Sequence, residues 1–406
     1  LFSTYFTFAQ TGSEVAPPYN IKTISFVQNN TNTVPIFKLE DQFQLQFDDL
    51  FGNEADYYYE ITHCDYNWIP SEIPKTEYLK GFDNQRITDY SNSFNTLQIY
   101  SHYRLSLPNT STQLLISGNY ILKILNEDKE LVFSRKFILY EDLVTVPIQV
   151  KRARMVSNLE FKHNLEFSIK SKTISFQNPL KNVKVVLLQN GQFYNSISNI
   201  IPQYTIGNDL VYKYDTQTQF WAGNEFLYFE NKDIRAAGNN VARVDSNNDI
   251  YSSYLYTNSA RANYPYSETQ DINGNFVVKN INATNDEIEA DYAWVYFSLS
   301  APSFRLKKDI YITGMFNNYK LTPEYKMDYN SQKGIYEKAV LIKQGFTNFQ
   351  YLISDNKGVT DPENAVDGNF YQTENDYSVL VYYRENTDRY DRVIGKGSAN
   401  SSNIIN

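Results

Sequence analysis

Short runs that alternate apolar and polar residues dominate the chain. Ile21–Gln28 (IKTISFVQ) and Phe43–Leu50 (FQLQFDDL) alternate with a period of two, which predicts half-buried strands. Gln113–Asn126 and Leu131–Glu141 continue the pattern as a closing hairpin. Turn residues end nearly every apolar run, and no long tract has the 3.6-residue period of an amphipathic helix. The pattern predicts an all-β protein made of tandem immunoglobulin-like or early-set β-sandwich domains.

Turn chemistry supports this assignment at three places. Asn190-Gly191 and Asn273-Gly274 each lie between alternating runs, and each predicts a hairpin because both central residues of such a turn need a positive φ. The segment Ser117–Tyr120 is typical of the entry to a late strand of a sandwich, where the glycine permits a bend and the tyrosine anchors the corner.

The length of 406 residues predicts two to four domains. Asn231–Gln270 is rich in Asn, Asp, Ser and Tyr and is interpreted as long exposed loops. The expected division is a residual signal peptide at 1–9, an N-terminal sandwich at 20–142, a middle β-domain with long loops at 143–303, a C-terminal early-set sandwich resembling glycogen-binding modules at 304–385, and a flexible tail at 386–406.

Composition narrows the class of protein. The 35 tyrosines and 26 phenylalanines favour sheets, and the net charge of −9 argues against a nucleic-acid partner. A single cysteine excludes an internal disulfide framework. Leu1–Gln10 is similar to the end of a secretory signal peptide, with a β-edge or an unstructured terminus as the alternative. We expect an exported protein that does not span the membrane, since no later run reaches the ~18 apolar residues of a membrane helix.

The one cysteine lies in an unusual cluster with His63, Asp65 and Trp68. These side chains include zinc-ligand types, but strand alternation points Cys64 away from its neighbours, and no second ligand group follows. An activated thiol is also disfavoured, because the surrounding charges are acidic. We therefore expect no catalytic residue, no metal and no cofactor here, and no small-molecule substrate.

An architectural role remains for the cluster. We expect Trp68 to pack in the core of the first domain and the Pro70-Ser71 step to turn the chain out of its strand. In the C-terminal segment, Tyr319 stands where glycogen- and starch-binding modules usually carry tryptophan. It is therefore a candidate platform for a glycan, and the alternative is a sandwich that binds no sugar.

A structural signature of seven residues marks the first domain, comprising His63, Cys64, Asp65, Trp68, Pro70, Ser71 and Gly81. Further distinctive stretches extend over almost the whole chain: Tyr59–Ile73, Glu77–Phe82, Ser91–Asn109, Ser117–Leu125, Leu131–Asp142, Gln219–Arg235 and the TGMFNNY and LIKQGFTNFQYL motifs. Taken together, these stretches resemble the type IX secretion system plug protein family of Bacteroidota.

The resemblance implies a non-enzymatic periplasmic protein, exported by an N-terminal signal peptide. Its partner would be the giant outer-membrane barrel translocon, whose periplasmic opening it would seal when no cargo is engaged. The alternative is a periplasmic or surface glycan-binding protein acting through the C-terminal domain. A tyrosine-rich stretch is the candidate for part of the docking surface, with a solvated loop as the alternative: Tyr251, Tyr254, Tyr256, Tyr264 and Tyr266.

Overall fold

The computed structural model describes residues 12–302, 308–355 and 358–404. The proposed signal peptide at 1–9 lies outside these residues. Almost all regular structure is strand, arranged as three two-layered sandwiches, so the predicted all-β class is confirmed.

The first sandwich follows the predicted strands closely. Its first sheet has the spatial order Thr31–Asn32, Ile21–Gln28, Phe43–Asp49, Ser101–Leu107, Tyr90–Asn92. Its second sheet has the order Ile36–Lys38, Leu131–Tyr140, Gly118–Leu125, Tyr58–Cys64, Gln85–Arg86. A helical turn at Lys75–Tyr78 leads into a ribbon of Leu79–Gly81 and Thr112–Leu114. Apolar side chains that alternate along these strands fill the space between the two sheets.

The predicted corner at the start of the late strand is confirmed. Gly118 has a φ of 153°, and the Tyr120 hydroxyl donates to the Ile116 carbonyl at 2.7 Å. A Cβ at Gly118 would lie 2.2 Å from His63 Nε2. Only glycine therefore fits beneath that imidazole.

The middle sandwich is closed by strands from two distant parts of the chain. One sheet has the order Ile148–Arg152, Lys162–Ile169, Asp209–Tyr212, Tyr204–Ile206, with Gln219–Trp221 also paired to Lys162–Ile169. The other has the order Gln192–Ser198, Val183–Gln189, Asp376–Tyr383, Arg392–Asn400. Short helical turns occur at Pro179–Asn182 and Ser401–Asn403.

This arrangement corrects the predicted flexible tail at 386–406 and the end of the third domain at 385. Arg392–Asn400 pairs with Asp376–Tyr383 along its length, and Val393 and Ile394 are fully buried. Asp376–Tyr383 pairs in turn with Val183–Gln189. The polar composition of the last segment conceals this strand. Its few apolar positions include Val393, which is buried against the first sandwich, and Ile394, which is buried in the core of the middle one.

The third sandwich is inserted between strands of the middle one. One sheet contains Leu227–Glu230, Gly345–Ser354 and Phe276–Val278, with Asp309–Thr313 also paired to Gly345–Ser354. The other has the order Val241–Ser246, Tyr251–Leu255, Tyr292–Ser300, Ile335–Lys343, Asp328–Asn330, with Asn258–Ser259 on Tyr292–Ser300. Helical turns occur at Asp286–Glu289, Met315–Asn317 and Pro323–Tyr325.

Strands from residues 227–300 therefore belong to the third sandwich, and the predicted boundary at 303/304 is wrong. Three strands occupy parts of the segment predicted as long loops at Asn231–Gln270. Asn190-Gly191 forms the predicted hairpin with φ values of 49° and 67°. Asn273-Gly274 adopts positive φ values, but the following Phe276–Val278 pairs with Gly345–Ser354 and makes no hairpin.

Candidate functional site

The signature cluster forms a tight turn that returns the chain to its own strand. The Asp65 carboxylate accepts the Asn67 and Ile69 backbone N–H groups, both at 2.9 Å. Ser71 N–H donates to the His63 carbonyl at 2.9 Å, next to a bridge between Cys64 and Pro70. The reversal therefore lies at residues 65–69, before the Pro70-Ser71 step to which it was assigned, because the Asp65 side chain organises the backbone.

The chemistry of this turn is structural. His63 Nδ1 lies 2.8 Å from Ser71 Oγ and Nε2 lies 3.4 Å from the Ser117 carbonyl, so Nε2 carries the proton that faces the carbonyl. Burial lowers the pKa of His63 to about 4 and raises the pKa of the Cys64 thiol to about 12. An imidazole with so low a pKa is a weak base, and a thiol that stays protonated is a poor nucleophile near neutral pH.

Gly81, the one glycine among the seven signature residues, has a separate role. Gly81 has a φ of 91°, and a Cβ there would lie 2.0 Å from the Ser111 carbonyl oxygen. The close pairing with the ribbon partner around Thr112 therefore needs glycine.

The turn joins the first sandwich to the middle one. Tyr66 is buried, its N–H donates to Asp391 at 2.9 Å, and its hydroxyl donates to the Val185 carbonyl at 3.1 Å. Its ring meets Tyr382 edge to face at 5.0 Å, and Tyr382 donates its hydroxyl to Asn119 at 2.7 Å. An apolar cluster surrounds these contacts and includes Ile36, Ile138, Leu188, Leu380 and Val393.

Trp68 is not in the core of the first domain. Its ring is half-buried, meets Phe193 of the middle sandwich edge to face at 6.0 Å and lies 4.4 Å from Lys136 Nζ. The residue has a φ of 65°, which directs its side chain out of the strand and towards the neighbouring domain. The tyrosine that is buried within this turn is Tyr66, which is not among the seven signature residues predicted from the sequence.

The first and third sandwiches meet around a buried charge. Asp48 lies between three partners: His102 Nδ1 at 2.6 Å, the Tyr292 hydroxyl at 2.6 Å and Lys343 Nζ at 2.7 Å. Lys343 also donates to the Glu287 carbonyl at 2.7 Å. Burial opposes ionisation of Asp48, but the interactions with Lys343 and His102 together outweigh it, so the pKa of Asp48 lies below its usual value. Burial lowers the pKa of Lys343.

The predicted tyrosine surface is only partly assembled. Tyr256 and Tyr264 are 60% and 61% exposed. Tyr251 lies on the inward-facing side of its strand and accepts a hydrogen bond from Arg235 at 3.3 Å. Tyr266 donates its hydroxyl to Glu225 and packs against Phe370, so this side chain is already engaged within the protein.

Tyr254 belongs to a stack that sequence reasoning did not anticipate. It lies flat against Tyr296, with the ring centroids 4.4 Å apart, and Arg243 covers its ring at 3.8 Å. The three residues lie side by side on three adjacent strands. We call Arg243, Tyr254 and Tyr296 the aromatic ladder. Alternation in Tyr292–Ser300 was the available signal, but the parallel pairing that completes the ladder is not visible in the sequence.

Tyr319 does not offer a platform for a sugar. The residue is only 8% exposed, and its ring packs against Tyr194 with the centroids 5.8 Å apart. A Cβ at Gly274 would lie 2.1 Å from the Tyr319 hydroxyl oxygen. Because its φ is 54°, the side chain turns into the junction of the domains and away from solvent, which overturns the predicted platform.

Two further structural facts bear on function. Among the described residues, no group of three or more His, Cys, Asp or Glu side chains is arranged to hold a metal ion. None of the helices in the described ranges combines the length and apolar character needed to cross a membrane.

Comparisons with known proteins agree with this picture. The protein-family model described as the type 9 secretion system plug protein 1st domain matches residues 21–141. The crystal structure of a hypothetical protein from Parabacteroides merdae ATCC 43184 is 31% identical, with a TM-score of 0.90, and the match covers 95% of this chain and 98% of that one. Curated proteins gave no match.

The fold and its sites define a class of multidomain β-sandwich protein with buried contacts between its domains. Within that class, the chain belongs to the type IX secretion system plug protein family. The family has a role in type IX secretion, and membership suggests a non-catalytic structural part in that process and a periplasmic location.

Proposed function

We propose that this protein is a non-enzymatic plug, which binds the periplasmic opening of the outer-membrane translocon and seals it when no cargo is engaged. Family membership supports the association with type IX secretion. The sealing role requires two physical properties: a body that keeps its shape, and a surface that can bind another protein firmly.

The contacts between the sandwiches supply the first property. The first sandwich binds the middle one through the apolar cluster around Tyr66 and binds the third through Asp48 and Lys343. Asn32 and Asn275 add reciprocal backbone contacts between the first and third sandwiches. A body fixed at two separate interfaces has little freedom to hinge, so it can block an aqueous opening without deforming.

The aromatic ladder is the observation that carries the proposal. Tyr296 is 37% exposed and the Arg243 side chain 61% exposed. Aromatic residues and arginine are the types enriched at protein interfaces and among the residues that contribute most to binding. Since its rings already stack, the ladder is ordered before a partner arrives, which lowers the entropic cost of binding.

Release needs a ligand that distinguishes the docked state from the free one. As a hypothesis, cargo or a shuttle protein at the translocon binds more tightly when the plug is absent, and its binding shifts the population to the open state. The plug then needs no enzymatic step to leave.

The test is affinity purification of the tagged protein from detergent-solubilised membranes of its host. We expect recovery of a large outer-membrane barrel protein with the wild type, and a loss of about tenfold or more for the Tyr254→Ala/Tyr296→Ala double variant. Tyr204→Ala is the matched control, because Tyr204 is 43% exposed on the middle sandwich, away from the ladder.

If the wild-type protein recovers no barrel protein, the proposed plug function is wrong. Equal recovery with the double variant and the control would instead be consistent with the plug function but would show that the aromatic ladder is not part of the interface with the barrel. Thermal unfolding of each variant checks that the fold is unchanged.

A further inference from the structure

A cavity of about 350 Å³ lies between the middle and third sandwiches. The middle sandwich lines it with residues from 189–197 and 219–226, and the third lines it with residues from 350–353 and 360–369. Its size is at the lower end of the range for small-molecule sites, ~300–1,000 Å³, and such sites often lie at domain interfaces.

The lining is rich in amides and aromatic rings. Gln350 and Asn195 contribute side-chain amides, and Tyr194 and Trp221 contribute rings. The two carboxylates in the lining are both paired with cations: Asp367 with Arg261 at 2.7 Å and Asp361 with Lys308. No lysine, arginine or histidine is among the residues that line the cavity. The lining is therefore close to neutral and lacks the cations that would hold a phosphate.

Two buried acceptors in the lining have no hydrogen-bond partner among the described residues. One is Asp367 Oδ2, on a residue that is 6% exposed, and the other is Asn195 Oδ1. The opposite oxygen of Asp367 accepts from Arg261, and the Asn195 amide donates to Gln189 at 3.1 Å, so both side chains are held in place. Buried acceptors without partners are costly, and a donor supplied by a ligand would relieve that cost.

We propose that this cavity binds a neutral saccharide about the size of one or two sugar units. Sugar hydroxyls supply the donors that the two acceptors lack, and the C–H faces of a pyranose match aromatic surface. Neutral ligands suit a lining whose charges already compensate one another. This site differs from the Tyr319 platform in both place and chemistry, and it departs from the expectation of no small-molecule ligand.

The test uses purified full-length protein and three neutral disaccharides: maltose, cellobiose and N,N′-diacetylchitobiose. Saturation-transfer NMR and calorimetric titration measure binding, and glucose 6-phosphate is the anionic comparison. We expect at least one disaccharide to bind in the micromolar to millimolar range and glucose 6-phosphate to bind at least tenfold more weakly, since the lining offers no free cation.

Two variants locate the site. Asn195→Ala removes one acceptor, and we expect affinity to fall about tenfold. Ala365→Trp places a ring in the cavity, since Ala365 is small and lies in the lining, and we expect it to abolish binding. Gln203→Ala is the control, because Gln203 is exposed on the middle sandwich outside the lining, and it should bind like the wild type.

Failure of the wild type to bind any of the three disaccharides would overturn the proposal. Tighter binding of glucose 6-phosphate would overturn the assigned ligand class, and binding that survives in both folded variants would overturn the assigned place. Each result is independent of translocon docking, which is measured by membrane purification.

Discussion

The first sandwich contacts its two neighbours by opposite physical means. Its contact with the middle sandwich is mainly an apolar cluster, with hydrogen bonds from Tyr66 and Tyr382, one of which reaches the Asp391 carboxylate. Its contact with the third sandwich surrounds the buried Asp48 and Lys343 charges, beside a smaller cluster that contains Leu50 and Leu341. Area buried from water stabilises the first contact in proportion to its size, whereas the second depends on charge compensation.

The difference teaches which contact can fail abruptly. Loss of one apolar side chain removes only that side chain's contribution to the free energy of the contact, and the other residues of the cluster still pack together. Loss of one member of a buried ion pair leaves the other charge without compensation in a medium of low polarity. We therefore expect the third sandwich to separate from the first before the middle sandwich does.

The largest effect is expected from Lys343→Met. This change leaves Asp48 buried without its cation, and we expect a loss of about 3–5 kcal/mol in the free energy of unfolding. Urea unfolding measures it, and limited proteolysis should detect release of the third sandwich. Lys333→Met is the matched control, since Lys333 is 61% exposed in its pair with Glu337, and it should cost less than about 1 kcal/mol.

The double variant Asp48→Asn/Lys343→Met sharpens this prediction. Because it removes both charges, it should recover part of the stability that Lys343→Met loses. The comparison also needs Asp48→Asn alone. If the losses in the free energy of unfolding of Asp48→Asn and Lys343→Met simply add in the double variant, the two residues are not coupled, and the contact does not depend on their charges.

Next in size is Leu380→Ala at the contact with the middle sandwich. Leu380 is fully buried, so truncation should cost about 3 kcal/mol, with equal loss at pH 5.5 and pH 7.5 because no charge is involved. Leu115→Ala, at a side chain that is 41% exposed, should change stability by less than about 0.5 kcal/mol. A pH-dependent loss at Leu380 would erase the distinction between the two contacts.

Both contacts show where sequence reasoning ends. Alternation located Ile21–Gln28 and Phe43–Asp49 because period two reports local burial, and it thereby predicted the fold class. It could not pair Val183–Gln189 with Asp376–Tyr383, since partners so far apart leave no local signal. Asp48 reads as an ordinary polar position, because only the tertiary fold places Lys343 beside it.

The signature cluster makes the same point at one residue. The rarity of tryptophan suggested that Trp68 fills a core, and a core indole would cost ~3–5 kcal/mol on truncation. The structure places it half-buried against Phe193 and Lys136, so we expect Trp68→Ala to cost about 1–2 kcal/mol. Trp68→Phe should retain part of the contact. Thermal unfolding distinguishes the values, and an unchanged midpoint together with lost docking would place Trp68 in the translocon interface.

The smallest effect concerns the carboxyl groups where the middle and third sandwiches meet. Burial raises the pKa of Asp271 to about 6 and raises the pKa values of Glu225 and Glu374. Between pH ~4 and pH 6 these groups therefore bind more protons in the folded protein than in the unfolded chain, so their contribution to stability falls as pH rises through this window. Burial lowers the pKa values of His63 and His163 to about 4, so these two groups act in the opposite direction below pH ~6.5. The carboxyl contribution is therefore measured as the change that a carboxyl variant makes in the pH dependence of the melting temperature.

Glu225→Gln tests the origin of that pH dependence. The glutamine keeps an oxygen for the Tyr266 hydroxyl and the Glu374 N–H, both of which donate to Glu225, but it cannot ionise. Relative to its value at pH 7.5, the melting temperature at pH 5.5 should therefore be lower in this variant than in the wild type, whereas the exposed control Glu363→Gln should keep the wild-type difference. An identical difference in both variants would show that Glu225 does not contribute. A relative melting temperature at pH 5.5 that is higher in Glu225→Gln than in the wild type would contradict the raised pKa of Glu225.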